Sequence, residues 1–487
     1  MRSLLAVFNL LGTLLMVFSA LFLLPLGAAL VWREHEALLA FGIGAAVSVS
    51  LGALLHFGTR LSRRYELKPR DGFLLVTIGG LGVTAVAALP LMLQAPYLDF
   101  TDAYFEAMSG LTTTGSTVVS GLDALPHALK LWRSALHWVG GMGIIVFGVA
   151  ILPLLGVGGM QLYRAETPGP VKDAKLAPRI FQTARSLWGV YVGITAACAL
   201  SLFAMGMSGF DALCLGFSTM SLGAFTPHDA SIGFYDSPGI ELVLMFFMTL
   251  AAINFTTHFV ALRKGNPGTY ARDPEARWVV AWILGSIAIL SLFLWSAQTY
   301  AGFGQALRYA AFGVVSMATT AGYVTADFNA WPIFAPMWML FLSCVVASTG
   351  STGGGIKNFR ALILIKQALR ETFVLVHPQA VTIMKIGGQL VANRVVFAVL
   401  GFIFAYFMTV VLLCFALLLT HLDFMTAFSA TIASINNTGP GLNLVGPASN
   451  YGGLTAAQTW ICTAAMFLGR IELFTFFVLL TPTFWRK

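Results

Sequence analysis

Thr112-Thr113-Thr114-Gly115 is the first of four short polar stretches, each ending in glycine, that interrupt an otherwise apolar chain. The other three are Met220-Ser221-Leu222-Gly223, Thr319-Thr320-Ala321-Gly322 and Asn436-Asn437-Thr438-Gly439. Their glycines follow one another at intervals of about one hundred residues, a period typical of repeated structural units. This repeat indicates four copies of one domain-sized unit.

A second motif precedes two of these stretches. Leu98-Asp99-Phe100 lies before the first and Leu422-Asp423-Phe424 before the fourth, and the spacing from aspartate to glycine is identical in the two copies. In the second copy, Phe210-Asp211-Ala212 lies slightly closer to its glycine, and the third copy has no acid there. The weakly apolar segment after each motif is too short to span a bilayer, so it predicts a re-entrant helix.

The composition places these units in a membrane. Of the 487 residues, 58% are hydrophobic and 10% are charged, and the mean hydropathy is +0.82. Such a chain lacks the polar surface of a soluble globular protein. Apolar runs at 4–32 and 37–55 are long enough to span a bilayer, and the first is too long to be only a signal peptide. We therefore expect two N-terminal spanning helices ahead of the first unit.

Each unit is predicted to consist of an outer spanning helix, a re-entrant helix, a polar loop and an inner spanning helix. The outer helices are expected near 73–93, 187–207, 278–297 and 395–419, and the inner helices near 127–155, 240–262, 331–369 and 455–482. The predicted fold is an all-α polytopic membrane protein with four pseudo-symmetric helix–pore loop–helix units around a central pore and ten spans. The predicted divisions are 1–70 for the two N-terminal helices and a cytoplasmic loop, then 71–164, 165–271, 272–372 and 373–487 for the units.

The net charge of +8 has two explanations, a nucleic-acid partner or the cytoplasmic loops of a membrane protein. The positions of the basic residues favour the second, because 22 of the 28 Lys and Arg residues fall on one side of the predicted topology. We therefore expect no nucleic-acid partner, and both termini in the cytoplasm. The four polar loops then enter the membrane from the opposite side.

Non-helical backbone at membrane depth is tolerated only where it is buried in protein or lines a watery cavity. Four such loops in equivalent places predict one shared lining, in which backbone carbonyls replace the water shell of a dehydrated cation. None of the four loops is acidic, which favours carbonyl coordination over a ring of carboxylates.

Two features inside the predicted inner helices are candidates for a gate. The segment 347–355 ends in three consecutive glycines and interrupts the third inner helix, either as a movable gate or as a fixed break needed for packing. Arg470 is an ionisable residue within the fourth inner helix and is a functional candidate, the alternative being a structural ion pair with Glu472 or another carboxylate.

The residues that often signal an enzyme give little support for one. The five cysteines lie in apolar stretches without a CxxC pair, and the eight histidines are scattered without an HExxH motif. His228 and Asp229 form an outer-loop pair that is explained by a solvated loop. We therefore expect neither an enzyme nor an organic cofactor in this chain.

Several stretches resemble a known family, the Trk/Ktr/HKT superfamily of potassium transporters, and within it the bacterial TrkH-like branch. The resemblance covers nearly the whole chain, and its most specific stretches are 140–143, 162–170, 226–233, 350–355, 436–441 and 469–472. It implies potassium uptake across the bacterial inner membrane, with K+ as the transported ion. It also implies a homodimer and a cytoplasmic TrkA-like nucleotide-binding regulatory ring as a separate chain.

The resemblance also implies residue roles. The filter residues would be Thr113, Thr114, Gly115, Ser221, Leu222, Gly223, Thr320, Ala321, Gly322, Asn437, Thr438 and Gly439. The gate residues would be Gly350, Gly353, Gly354, Gly355, Lys357 and Arg470. The chain departs from the family pattern at Ala224, where relatives commonly carry a second glycine, and at Ala321 and Thr438. The alternative function is a proton- or sodium-coupled secondary transporter, and the selectivity for potassium over sodium stays open.

Overall fold

The computed structural model describes residues 2–59, 69–94, 97–146, 176–380 and 382–486. Within these ranges the regular structure is helical apart from one short antiparallel hairpin, in which β1 (Lys385–Ile386) pairs with β2 (Gln389–Leu390). Most of the predicted basic loop at 60–70, the end of the first inner helix and the 162–170 stretch lie outside the described residues.

The N-terminal pair forms as predicted. α1 (Arg2–Phe18) continues through a short 3-10 turn into α2 (Leu23–Trp32), and α3 (His35–Gly58) returns beside them. α1 and α3 approach closely at two glycines, since a β-carbon added to Gly12 would lie 2.6 Å from the carbonyl oxygen of Gly52. The absence of side chains at this crossing lets the two backbones touch, as is common between membrane helices.

The first two units follow the predicted order. The first contains α4 (Pro69–Leu93), the short α5 (Phe100–Leu111) and α6 (His127–Val146). The second contains α7 (Leu176–Ala204), the short α8 (Gly209–Ser221), and an inner helix made of α9 (Pro238–Ala251) and α10 (Phe255–Lys264). α9 and α10 are bent by 98° at the break between them. A short connecting helix, α11 (Gly268–Arg272), leads to the third unit.

The last two units also have broken inner helices. The third contains α12 (Pro274–Ser296), the short α13 (Phe303–Ala318), α14 (Phe334–Val345) and α15 (Asn358–Val376). The fourth contains α16 (Asn393–Leu419), the short α17 (Phe424–Ile435), α18 (Ala456–Arg470) and α19 (Leu473–Leu480), and α20 (Pro482–Trp485) ends the described chain. α18 and α19 are bent by 107°. The predicted four-unit, all-α fold is confirmed, with the third inner helix broken where the sequence predicts.

Fewer helices than the predicted ten spans are both long enough and apolar enough to cross a membrane. Among the described residues, six helices can each cross a membrane, or eight if each bent pair counts as one span. The two remaining predicted spans are α6, which carries Lys130 and Arg133, and the third inner helix, which the break divides between α14 and α15. The charged residues of α6 and the break between α14 and α15 thus shorten the uninterrupted apolar stretch of these two inner helices. Both still occupy the predicted place in their units.

Three of the four short helices begin at hydrogen-bonded N-caps, whereas α13 begins after Gly302 without a side-chain cap. The side chains of Asp99, Ser208 and Asp423 accept from the backbone N–H three residues later, at 2.8, 3.0 and 3.0 Å respectively. Such caps satisfy one of the free N–H groups at a helix start. The two predicted LDF aspartates are therefore caps, whereas in the second unit the cap is Ser208 and not Asp211.

The four units close into a ring through side-chain contacts near the ends of the short helices. Each junction places polar or small groups in contact. These are Gly141 and Ser221 between units one and two, Thr219 and Tyr323 between two and three, Ser343 and Asn436 between three and four, and Thr114 and Asn437 between four and one. The ring brings the four polar loops to one centre.

Candidate functional site

The four loops share one backbone pattern. In each loop, a backbone N–H donates at 2.9 Å to the carbonyl oxygen five residues earlier. The donors are Thr114, Gly223, Ala321 and Thr438. The residue before each donor has a positive φ: 56° at Thr113, 54° at Leu222, 66° at Thr320 and 54° at Asn437.

Four non-glycine residues in the left-handed region are unusual. Each such residue costs on the order of 1–3 kcal/mol, and the conformation persists only where the surroundings enforce it. Strain of this kind clusters at functional sites. Its repetition at equivalent positions of all four loops marks this ring as the candidate site.

The shared pattern sets the register of the loops. The residue that follows each donor is Gly115, Ala224, Gly322 or Gly439. The expected alignment placed Gly223 with the other three glycines, so the structure moves the second loop by one position. The chain spacing agrees, because Ala224 follows its cap Ser208 at the same interval at which Gly115 and Gly439 follow theirs.

The residues at these four positions come within contact distance of one another. A β-carbon added to Gly115 would lie 2.5 Å from the β-carbon of Ala224, and one added to Gly322 or Gly439 would lie 2.8 Å from it. Gly115, Gly322 and Gly439 also have positive φ values of 79°, 73° and 101°, whereas Ala224 does not adopt a positive φ. Of the four predicted filter glycines, three therefore meet at the ring, and Ala224 takes the place of the fourth.

Gly223 lies one position earlier and packs elsewhere. A β-carbon on it would overlap the ring of His137, which stacks on Phe225 with 4.2 Å between the ring centroids. Gly223 is thus required by close packing against α6, although it is not at the ring position. The predicted Ser221 is the last residue of α8.

Two carbonyl oxygens in each loop accept no hydrogen bond from any donor in the described part of the chain. They belong to Thr113, Thr114, Leu222, Gly223, Thr320, Ala321, Asn437 and Thr438, all of which are buried. A buried carbonyl without a partner is costly, because it has lost its hydrogen bonds to water. Eight such oxygens, two at equivalent positions of each loop, are a set of ligands suited to replacing the water of a dehydrated cation.

A buried ion pair lies behind the first two loops and was not found by the sequence. Arg133 Nε donates to Glu106 Oε1 at 2.8 Å, and the two side chains are 2% and 0% exposed. Glu106 also accepts from the Val118 N–H at 3.1 Å, and Arg133 Nη1 donates to the Thr226 carbonyl at 3.3 Å. The available signal was that both residues are ionisable within predicted membrane segments.

The break in the third inner helix packs directly beneath the ring. Thr352 Oγ1 donates to the Met220 carbonyl at 3.0 Å, and the Gly354 N–H donates to Thr320 Oγ1 at 2.9 Å. A β-carbon on Gly354 would overlap the Asn436 carbonyl. The segment 346–357 therefore contacts the second, third and fourth loops, and Gly353 and Gly354 are required by this close approach.

Two basic residues hold this segment. Arg470 Nη1 donates to the Thr352 carbonyl at 2.9 Å and Nη2 to the Gly140 carbonyl at 3.1 Å, while Lys357 Nζ donates to the Gly353 carbonyl. The alternative of an ion pair between Arg470 and Glu472 is wrong, because Glu472 pairs with Arg360 at 2.7 Å. The helix break at residues 471–472 separates the two neighbours in sequence.

A polar cluster lies at the side where the short helices begin. His228 contacts Asp123 through Nδ1 and lies 3.4 Å from Asp211 through Nε2, and its ring stacks on Phe234. The hydrogen bond from His228 lowers the pKa of Asp123. His228 therefore connects the outer segments of the first and second units and is not in a freely solvated loop. In the described ranges, no group of three or more His, Cys, Asp and Glu side chains could hold a metal ion.

Comparison with known proteins places the chain in a family. The TrkH family model, described as a cation transport protein, matches residues 38–487. The chain is 46% identical to the Trk system potassium uptake protein TrkH of Halomonas elongata over 100% of both chains. It is 44% identical to the protein of the same name from Escherichia coli over 99% of both.

A solved structure agrees over the same extent. The crystal structure of the potassium transporter TrkH from Vibrio parahaemolyticus matches with a TM-score of 0.91 and 41% identity, covering 100% of this chain and 99% of that one. The similarity to this solved structure therefore extends over the length of the chain. The chain belongs to the TrkH family of cation transport proteins, and it is a multi-pass membrane protein.

Proposed function

We propose that this chain takes up potassium across the bacterial inner membrane through the ring formed by its four loops. The observation that carries the proposal is the set of eight buried carbonyl oxygens, two per loop, that accept no described hydrogen bond. Potassium sheds its water shell at a favourable free energy only where such oxygens replace it. The relatives named as potassium uptake proteins support this ion as the cargo.

The proposed filter consists of Thr113, Thr114 and Gly115, then Leu222, Gly223 and Ala224, then Thr320, Ala321 and Gly322, and finally Asn437, Thr438 and Gly439. Carbonyls supply the ligands, so side-chain identity matters mainly through space. Gly439 is the best position for a substitution that tests the filter. Its φ of 101° disfavours any side chain, and a β-carbon added there would lie only 2.8 Å from the β-carbon of Ala224. The carbonyl of Gly439 itself is held by Ser116 and Tyr451, each at 3.0 Å, and serves to position the loop.

The test is rubidium-tracer uptake into liposomes that contain the purified chain, with potassium or sodium as competitor. Potassium is expected to block uptake, sodium is not, and Gly439→Ser is expected to weaken this discrimination. Gly453→Ser is the matched control, because Gly453 is exposed and nothing lies within 4 Å of a β-carbon added there. Equal competition by sodium and potassium in both variants and in the unmodified chain would contradict the filter assignment.

We further propose that the segment 346–357 is the gate of this path, with Gly350, Gly353, Gly354, Gly355, Lys357 and Arg470 as its functional residues. Support comes from its contacts with three of the four loops and from the two hydrogen bonds that Arg470 donates to the Thr352 and Gly140 carbonyls. A hydrogen bond to a charged group contributes about 1.5–3 kcal/mol, so the bond from Arg470 to the Thr352 carbonyl alone favours the closed position of the segment by roughly tenfold or more in population.

Substitution of Arg470 tests this gate. Arg470→Met is expected to raise potassium uptake, because the segment loses the link that Arg470 makes between the Thr352 carbonyl and the Gly140 carbonyl of α6. Arg263→Met, at an exposed arginine, is the control and should leave uptake unchanged. Unchanged or lower uptake by a folded Arg470→Met protein would show that the segment is a fixed break.

We propose that both termini lie in the cytoplasm, as the distribution of basic residues indicates. In the described chain the support is the concentration of basic residues on one side, at Arg263, Lys264, Arg272, Arg277, Lys366 and Arg370. A reporter fused at the C-terminus that is active only in the periplasm should then be silent. Periplasmic activity would reverse the orientation.

We propose that two copies associate and that a cytoplasmic TrkA-like nucleotide-binding ring regulates the dimer, as the family resemblance implies. Support from this chain is an apolar surface in the second half of α15, where Leu369, Phe373, Leu375 and Val376 are exposed. Leu375→Asp should weaken association, measured by light scattering of the purified protein with and without the ring. A monomer under all conditions would contradict the dimer.

A proton- or sodium-coupled secondary transporter is the second candidate within this family. It would accumulate potassium against its gradient when a proton or sodium gradient is imposed on the liposomes. We favour the simple path, because the ring consists of carbonyls without an ionisable group among its twelve residues. Accumulation that follows an imposed pH gradient would favour the coupled mechanism and leave the filter assignment intact.

A further inference from the structure

We propose that Ala224 sets the width of the ion path, so that its methyl group slows the passage of alkali cations larger than potassium, rubidium slightly and caesium most. The inference rests on the proposed function, because it assigns a role within the same ring. Its content is specific to this chain, in which three ring positions are glycine and one is alanine.

Three independent observations place Ala224 at the ring. The preceding Gly223 N–H donates to the carbonyl five residues earlier, as its counterparts do. Leu222 has the positive φ of 54° that precedes this donor in every loop. The N-cap Ser208 precedes Ala224 at the same chain spacing that separates cap and ring position in the first and fourth units. Hydrogen bonding, backbone conformation and chain length thus agree.

The methyl group reaches all three other loops. A β-carbon built on Gly115, Gly322 or Gly439 would lie 2.5, 2.8 or 2.8 Å from the Ala224 β-carbon. These distances are shorter than carbon–carbon contacts allow, so the space between the four positions holds one methyl group and no second. Ala224 is also partly exposed, as is Gly115, which places it beside open space and not within packed protein.

A methyl group at this place acts on ions by size. It has no lone pair and cannot replace water around a cation, whereas the carbonyl oxygens can. It also narrows the space available to the ion, and close-packed protein responds to a change of even one methylene. Dehydrated rubidium and caesium are larger than potassium and meet this restriction first. Sodium is smaller, so its exclusion depends on the carbonyl oxygens and not on the methyl group.

The experiment compares uptake of caesium, rubidium, potassium and sodium by Ala224→Gly in liposomes. We expect the caesium-to-potassium ratio to rise by about tenfold, the lower end of what one methyl group discriminates in a fitted site. The sodium-to-potassium ratio should stay unchanged. Ala230→Gly is the matched control, because Ala230 lies in the same loop region but is exposed. An equal rise for sodium and caesium would show general loosening and overturn the size role.

Two further variants keep the test decisive. If Ala224→Gly does not fold, Ala224→Val should lower rubidium uptake more than potassium uptake, and an equal loss for both ions would overturn the inference. Gly439→Ser separates this inference from the proposed function. If Gly439→Ser alters selectivity and Ala224→Gly does not alter the caesium ratio, only the role of Ala224 fails. If neither alters selectivity and the unmodified chain does not discriminate among the ions, both fail.

Discussion

Replacing Arg133 by methionine is expected to destabilise the protein and to weaken its ion selectivity together. The substitution removes the charge that compensates Glu106 while filling a similar volume. Glu106 is 0% exposed, so its carboxylate cannot recover water as a partner. The Thr117 hydroxyl and the Val118 N–H, which donate to it at 2.9 and 3.1 Å, remain but carry no full charge.

The size of the effect follows from the contacts that are lost. Breaking a buried ion pair by removing one partner costs about 3–5 kcal/mol. Arg133 also loses its donation to the Thr226 carbonyl at 3.3 Å and its stacking on Phe225 at 4.0 Å. Thr226 follows the ring residue Ala224 by two positions, so the second loop loses a fixed point close to the proposed filter. We therefore expect the loss of selectivity to accompany the loss of stability.

A double-mutant cycle measures this pair. Unfolding by SDS in mixed micelles is compared for Arg133→Met, Glu106→Gln and the double variant, and rubidium uptake with sodium competition is measured on each. The double variant should be less destabilised than the sum of the two single variants by about 2–3 kcal/mol, because neither charge is left alone. Additive effects, or full sodium discrimination by Arg133→Met, would refute the idea that the pair supports the loops.

Three other predictions concern separate parts of the molecule. Gly354→Ala should abolish uptake, because its β-carbon would overlap the Asn436 carbonyl, whereas Gly304→Ala, with nothing within 4 Å, should keep it. Tyr451→Phe removes the hydroxyl that donates to the Gly439 carbonyl at 3.0 Å; a cost of about 1 kcal/mol in unfolding and weaker sodium discrimination are expected, with the exposed Tyr97→Phe as control. His228 lowers the pKa of Asp123, so this pairing stabilises the fold above the unfolded pKa of about 3.9, and the contribution is lost as the pH falls through the lower folded value. Asp123→Asn should remove that acid-dependent loss in thermal melts, and an unchanged pH dependence would show that the pairing contributes nothing.

The sequence was sufficient to predict those features of the fold that depend on a few neighbouring residues. The polar stretches, the short apolar segments before them and the glycine run in the third inner helix are each visible within a few residues, and each has its predicted place in the fold. Asp99 and Asp423 are also recognisable in the sequence as N-caps, because aspartate is common at the position just before a helix.

The second loop shows why the rest could not be predicted. Alignment by glycine placed Gly223 with Gly115, but Gly223 is a glycine because the His137 ring of α6 leaves it no space. This packing reason depends on a helix far earlier in the chain, in the preceding unit. Ser208 was not singled out from the sequence, because the repeated aspartate motif points to Asp211 in the second copy.

The ionisable residues within the membrane segments show the same limit. Arg470 and Glu472 are neighbours in sequence, and only the bend between α18 and α19 directs Glu472 to Arg360. Glu106 and Arg133 lie on different helices and meet only when the first unit has folded. Sequence marks such residues as candidates, but it does not give their partners.

The single alanine at the ring has a consequence for how such a protein can evolve. In a channel assembled from four identical subunits, one change in the gene alters every copy, so an alanine there would bring four methyl groups into a space that holds one. Here the four units are encoded in tandem on one chain, and each ring position mutates independently. The tandem arrangement on one chain thus allows the proposed filter to change by a quarter of the ring at a time, through intermediates that a symmetric tetramer does not have.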